Sequence, residues 1–260
     1  MRSGRLRALA QQIADGLPEP AVEVVLTGSV SRGMADETSD IELLVVSEEQ
    51  PTLEEAFAQS GLPDPQTWGP QTTPSRRVFG YREGVPVEQI WWSRAFAEEQ
   101  VAAFASAEAI ANGVALRTCG LLERWQAFLR DYPDELAGRR IEEAAETWGG
   151  YAPEAVRTVT RDGERLARVQ RMVGDAERIV TIVFALNRTW EPTLKRLALR
   201  VEPLRLKPDR FAERLAAAFA DDDFLALTEL ALETVRLAPD GPNVVRARAW
   251  LAAAAEALRP

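Results

Sequence analysis

The chain has 260 residues, 46% of them hydrophobic and 27% charged, a balance that suits one or two globular domains with a proper core. It carries a net charge of -9 and no histidine, which excludes a Ser-His-Asp triad, a Cys-His pair and a His-ligated zinc and leaves general-base work to carboxylates. The single cysteine, Cys119, excludes an internal disulfide framework and a thiolate metal cage, and it reads as a small helix-packing residue.

The first element is a mixed amphipathic helix at about 4–16, preceded by Met1-Arg2-Ser3 rather than by a signal-peptide apolar core. No apolar run approaches a membrane span, so a cytoplasmic protein without membrane contact is expected. A strand at 22–27, rich in β-branched residues, delivers Gly28 and Ser29 to its carboxyl end. Gly28 lets the backbone approach a ligand, Ser29 offers a hydroxyl and an amide where N–H groups face anions, and Arg32 adds a charged fork; triphosphate oxygens suit such a turn. After Gly33 a polar loop, 35–39, feeds a second strand at 40–46. There Asp40 and Glu42, two residues apart, project from one face, while Ile41 turns into the other layer. Two adjacent carboxylates call for a compensating cation, and hard oxygen donors select Mg2+, with Mn2+ the alternative.

Gly28-Ser29 and Ser39-Asp40-Ile41-Glu42, with ten residues between Ser29 and Asp40, together resemble the signature of the DNA polymerase β-like nucleotidyltransferase superfamily, within which the aminoglycoside and lincosamide enzymes are the obvious relatives. The resemblance implies a mixed sheet with flanking helices, two metal ions bound by acids, and a third carboxylate from a later strand. The second acid is Glu42 where Asp is commoner, a longer arm that bears on metal geometry.

A helix started by Pro51 carries Leu53, Ala56 and Phe57, and a Pro- and Gln-rich loop spans 61–75. Residues 76–82 and 85–92 read as a hairpin around Glu83-Gly84, with Pro86 marking a strand start or an edge. On its second strand Glu88 shares a face with Ile90 and Trp92, which makes it the candidate third acid, as general base or metal ligand; Glu83 is the weaker rival. A salt bridge from Glu88 to Arg76 or Arg77 across the hairpin is the plain alternative.

From Ser93 onward the pattern reads as helices at 94–110, 114–130, 133–148 and 164–190, with no further strand. The chain therefore divides into a catalytic α/β (α+β) nucleotidyltransferase core at 1–110 and an α-helical bundle at 111–260, expected to leave a cleft for the acceptor. The stretch Asn187-Arg188-Thr189-Trp190-Glu191-Pro192-Thr193-Leu194-Lys195 is similar to one in the helical half of uncharacterised superfamily members. That similarity implies that Lys195 reaches nucleotide phosphates and that Asn187 or Arg188 meets the acceptor. Ordinary surface charges, with Trp190 in the core and Pro192 opening a helix, are the alternative. Asp221-Asp222-Asp223 reads as a helix cap rather than a metal site.

Residues 1–110 hold 8 of the 31 Lys and Arg against 17 of the 40 Asp and Glu, so the catalytic half carries the whole excess of negative charge. That argues against nucleic acid and for a cationic small molecule as acceptor, an aminoglycoside- or lincosamide-like antibiotic by the family resemblance. The reaction expected is transfer of a nucleoside monophosphate from a triphosphate, ATP first among them, to an acceptor hydroxyl. Gly28, Ser29, Arg32 and Lys195 would hold the nucleotide, and Asp40, Glu42 and Glu88 the metal and the chemistry. A toxin-type enzyme acting on protein or tRNA, and a nucleotide-binding module without turnover, stay open as alternatives.

Overall fold

The computed structural model describes residues 2–19, 21–67, 74–149, 156, 161, 163–191 and 194–259. Contacts divide the chain into two compact units, residues 1–131 and 132–260, a break later than the one expected at 110.

The first unit is a five-stranded mixed sheet with helices. Helix α1 (Arg2–Gly16) buries Leu6, Leu9, Ala10 and Ile13, the i, i+3, i+4, i+7 spacing of a single helical stripe. It is followed by β1 (Ala21–Thr27), a one-turn helix α2 (Gly28–Ser31), β2 (Ile41–Ser47), α3 (Leu53–Gln59), β3 (Arg76–Arg82) and β4 (Val85–Ser93). The remaining elements are α4 (Arg94–Ala102), α5 (Ala107–Ala111), β5 (Val114–Arg117) and α6 (Leu121–Leu129). Strand order is β3-β4-β2-β1-β5, with β2 and β4 parallel and every other pair antiparallel. The hairpin turns at Glu83-Gly84, both at positive φ, as a two-residue turn that matches strand twist requires. Pro86 lies ahead of the β2–β4 pairing, which begins at Ile41 opposite Val87, so its missing N–H leaves that ladder intact.

Alternation along the strands gives the sheet two unlike faces. Val24, Leu26, Ile41, Leu43, Val45, Val87 and Trp91 join α1 in one apolar cluster. Glu23, Glu42 and Glu88 belong to the opposite face. Glu23 is fully buried there, and its Oε2 accepts from Cys119 N at 2.9 Å, Leu121 N at 3.1 Å and Thr118 Oγ1 at 3.1 Å. A carboxylate among the leading amides of α6 satisfies donors that the helix itself leaves open.

The helical reading of 94–130 needs correction. Phe104, at φ +57°, ends the first helical run, and its ring stacks on Phe128 at 5.6 Å. Residues 114–117 are strand, not helix, pairing along β1 with Val25 opposite Ala115. Arg117 at the end of β5 donates to the carbonyls of Ala14, Leu17 and Pro18 at 2.6, 2.7 and 2.9 Å, closing the C-terminal end of α1. Cys119 is exposed in the turn before α6 rather than packed in a helix. The first helix, β1 and the hairpin lie within a residue or two of expectation. In α3 it is Thr52, not Pro51, that caps the helix, in a capping box with Glu55.

The second unit contains α7 (Asp134–Gly149), α8 (Arg165–Leu186), α9 (Leu197–Val201), α10 (Phe211–Ala220), α11 (Phe224–Leu237) and α12 (Pro242–Leu258). Helices α7, α8, α11 and α12 form a ring of neighbours, each packed on two others. Asp175 is buried between them, and its charge is met by Trp148 Nε1 at 2.8 Å, Arg178 Nη1 at 2.9 Å and Arg171 Nε at 3.0 Å. Asp223 caps α11, accepting from Ala226 N at 2.9 Å. Pro192, which opens a helix in the alternative reading of 187–195, lies outside the described residues. No helix among the described residues is long and apolar enough to cross a membrane.

One packing constraint is testable at the α5–β5 junction. A Cβ on Gly113 would stand 2.6 Å from Val25 Cγ1, so glycine is what lets the chain leave α5 against β1. Gly113→Ala should lower stability by about 1–3 kcal/mol, the range for overpacking a close contact, in urea unfolding of the full chain.

Candidate active site

Strand β1 ends at Thr27, and the chain turns at once through Gly28. Gly28 has φ +68°, and its bare Cα lies beneath Glu42: a Cβ would fall 1.8 Å from Glu42 Oε2. Both demands select glycine, the left-handed backbone and the absent side chain. Register brings the two together, since Thr27 stands opposite Glu42 in the antiparallel β1–β2 pair.

The carbonyls of the Gly28–Ser31 turn are held by donors from several residues. Ser31 Oγ donates to Gly28 O at 3.0 Å, and Arg32 Nη1 donates to the same oxygen. Met34 N donates to Ser29 O at 2.9 Å, and Arg7 of α1 donates to Ser31 O at 2.9 Å and to Val30 O at 3.4 Å. The leading N–H groups of such a turn have no intrahelical acceptor, which leaves them for an anion. Ser29, the second residue of the turn, is half-buried.

Arg32 is positioned differently from a free phosphate fork. Its side chain is 11% exposed, and it grips Glu108 of α5 through Nε at 3.1 Å and Nη2 at 2.6 Å. In this structure its guanidinium meets protein oxygens. Arg7 and Glu108 escaped the sequence reading because each meets the turn from a distant element, with no local motif to mark it.

Asp40 sits one residue ahead of β2, not within it. The loop that delivers it is pinned: Asp36 Oδ1 accepts from Thr38 N and Ser39 Oγ at 3.0 Å, and Ser3 of α1 accepts from Ala35 N at 3.0 Å. Glu42 and Glu88 are direct partners across the parallel β2–β4 pair, so they share a face on neighbouring strands. Arg77 Nη1 stands 3.7 Å from Glu88 Oε1 from an exposed position on β3, the cross-hairpin salt bridge named above as the alternative. Glu83 occupies the exposed hairpin turn.

Asp40, Glu42 and Glu88 supply only hard oxygen donors, and Gly28 keeps the space beneath Glu42 free of a side chain. The donor type is the one a divalent cation takes. Among the described residues, however, no group of three or more acids or cysteines stands ready-formed as a metal cage.

Residues 6–66 match the family model described as a nucleotidyltransferase domain. This segment is a nucleotidyltransferase domain of the DNA polymerase β-like superfamily. The match takes in Gly28, Ser29, Arg32, Asp40 and Glu42, and stops short of Glu88 and Lys195. Members of the family typically use divalent metal ions. No curated protein matches the chain. A solved nucleotidyltransferase-like protein from Exiguobacterium sibiricum aligns over 98% of this chain and 74% of its own at 12% identity, with a TM-score of 0.32, too loose a superposition to add to the assignment.

Outside the nucleotidyltransferase domain, Lys195 is exposed in the turn before α9. Its two companions in the motif have structural roles. Asn187 donates to Val183 O at 2.7 Å and Leu206 O at 2.8 Å, and its Oδ1 accepts from the amides of Arg205 and Leu206, both at 2.9 Å. Arg188 pairs with Asp134 at 2.7 Å and donates to Ala185 O at 2.8 Å. Trp190 is buried against Tyr132, ring centroids 4.5 Å apart.

Gly28→Ala should be destabilised by about 1–2 kcal/mol from left-handed backbone strain, with a further loss from displacing the Glu42 carboxylate. Urea unfolding measures it; stability equal to wild type would mean that the contact with Glu42 constrains nothing.

Proposed function

We propose that the protein transfers a nucleoside monophosphate from a nucleoside triphosphate, ATP first among them, to a hydroxyl of a small-molecule acceptor. The observation that carries this reading is the coincidence of the family match over residues 6–66 with the approach of Glu42 to the Gly28 turn, Glu88 lying alongside on β4. Gly28 and Ser29 steady the β- and γ-phosphates with backbone amides and the Ser29 hydroxyl. Asp40, Glu42 and Glu88 would hold Mg2+ or Mn2+, which when bound neutralises triphosphate charge. Glu88 takes the acceptor proton or completes the metal shell. The acceptor oxygen bonds to the α-phosphorus, the bond from that phosphorus to the bridging oxygen breaks, and pyrophosphate leaves. Lys195 is a further phosphate contact in this reading. The acidic balance of residues 1–110 favours a cationic acceptor, such as an aminoglycoside- or lincosamide-like antibiotic.

The test is incubation with Mg2+, each triphosphate and an acceptor panel, with pyrophosphate release and acceptor mass as readouts. An acceptor gaining the mass of a nucleoside monophosphate supports the proposal, and triphosphate binding without product overturns it. Asp40→Asn should abolish transfer with the fold intact, because the amide keeps the shape and loses the charge that holds the cation. Glu88→Gln should slow turnover roughly 10²–10⁴-fold as a general base, with triphosphate binding retained. If binding falls in parallel, Glu88 acts as metal ligand instead. Ser29→Ala should weaken triphosphate affinity, read calorimetrically, more than it changes the unfolding midpoint.

A further inference from the structure

The geometry points to Glu108 as a positioning residue that sets the Gly28–Ser31 turn through Arg32, an inference that rests on the nucleotidyltransferase reading of that turn. Three nitrogens of one guanidinium are engaged: Nε and Nη2 on Glu108, and Nη1 on the carbonyl of Gly28. A guanidinium is planar and rigid, so fixing two of its nitrogens on a carboxylate dictates where the third points. The Glu108 carboxylate therefore aims the hydrogen bond that holds the Gly28 carbonyl.

Glu108 is itself anchored well enough to serve as a reference point. Asn112 Nδ2 donates to Glu108 O at 2.8 Å and to Glu108 Oε1 at 3.2 Å. Gln126 of α6 ties the end of α5 through Ile110 O at 3.1 Å and Gly113 O at 2.9 Å, and Gly113 abuts Val25 of β1. The pair is mostly screened from water, with side chains 11% and 17% exposed, so each charge depends on the other. Arg7 holds Val30 and Ser31 from α1, so the turn is suspended between α1 and α5.

The competing arrangement makes Arg32 a direct phosphate ligand that must first leave Glu108. The two arrangements predict opposite signs. With Glu108 as positioning residue, Glu108→Gln lets the fork swivel, and triphosphate affinity falls about tenfold, the scale of one charge-assisted hydrogen bond. With Glu108 as competitor, the same substitution frees Arg32 and affinity rises.

The experiment is calorimetric titration of the full chain with the Mg2+ complexes of ATP, GTP, CTP and UTP, alongside thermal unfolding of each variant. Loss of affinity in Glu108→Gln supports the inference; unchanged or tighter binding overturns it. Glu108→Asp, which keeps the charge but shortens the reach, should lower affinity in the same sense and serves if the glutamine variant fails to fold. The exchanged pair Arg32→Glu with Glu108→Arg separates positioning from plain stability. It should regain unfolding midpoint relative to Glu108→Gln without regaining affinity, because a carboxylate at position 32 cannot donate to Gly28 O; full recovery of affinity would overturn the inference. A wild type that binds none of the four triphosphates removes the reading of the turn itself, and the role of Glu108 with it.

Discussion

The constraint on which the first unit depends is the approach of the Glu42 carboxylate to the bare Cα of Gly28. It needs the β1–β2 register that sets Thr27 opposite Glu42, a glycine at positive φ where β1 stops, and a connection that returns the chain to the same end of the sheet. The connection is held at several points: α1 supplies Arg7 to the turn and Ser3 to the loop, and Asp36 organises the residues just before Asp40. Helix α1 thus packs the apolar face of the sheet and also fixes the segment leading to the acids.

The sheet handles its carboxylates in two ways on one face. Glu23 is wholly buried and accepts three donors at the entrance of α6, which makes it a structural cap and removes it from the chemistry. Glu42 and Glu88 remain partly accessible, one over a glycine and the other facing an arginine on the exposed side of the hairpin. A buried carboxylate held through one oxygen by two amides and a hydroxyl is fixed in place, whereas one facing an exposed side chain can exchange that contact for another partner.

Two polar side chains of the helical unit, Asp175 and Asn187, serve its own assembly. Asp175 joins Trp148, Arg171 and Arg178 inside the four-helix ring, and Asn187 brackets residues 205 and 206 with both ends of its amide. An amide that accepts twice and donates twice to backbone has its capacity filled, so Asn187 serves here to close the end of α8.

The residues themselves determined whatever local rules govern. The β-branched run predicts β1 and the Glu83-Gly84 pair predicts the hairpin turn, because strand propensity and turn chemistry act over a few residues; Asp40, one residue ahead of β2, lies outside the alternation expected to align it with Glu42. Only the tertiary structure decided that Val114–Arg117 is strand: Ala, Leu and Arg favour helix, and the open edge of β1 overrides them with a ladder that no window of this sequence contains. It likewise decided that Glu88 stands beside Glu42, through a parallel pairing 46 positions apart, and that Arg32 meets Glu108 across 76. Register and ion pairing at that separation follow from how the layers pack, and packing belongs to the whole chain rather than to any segment of it.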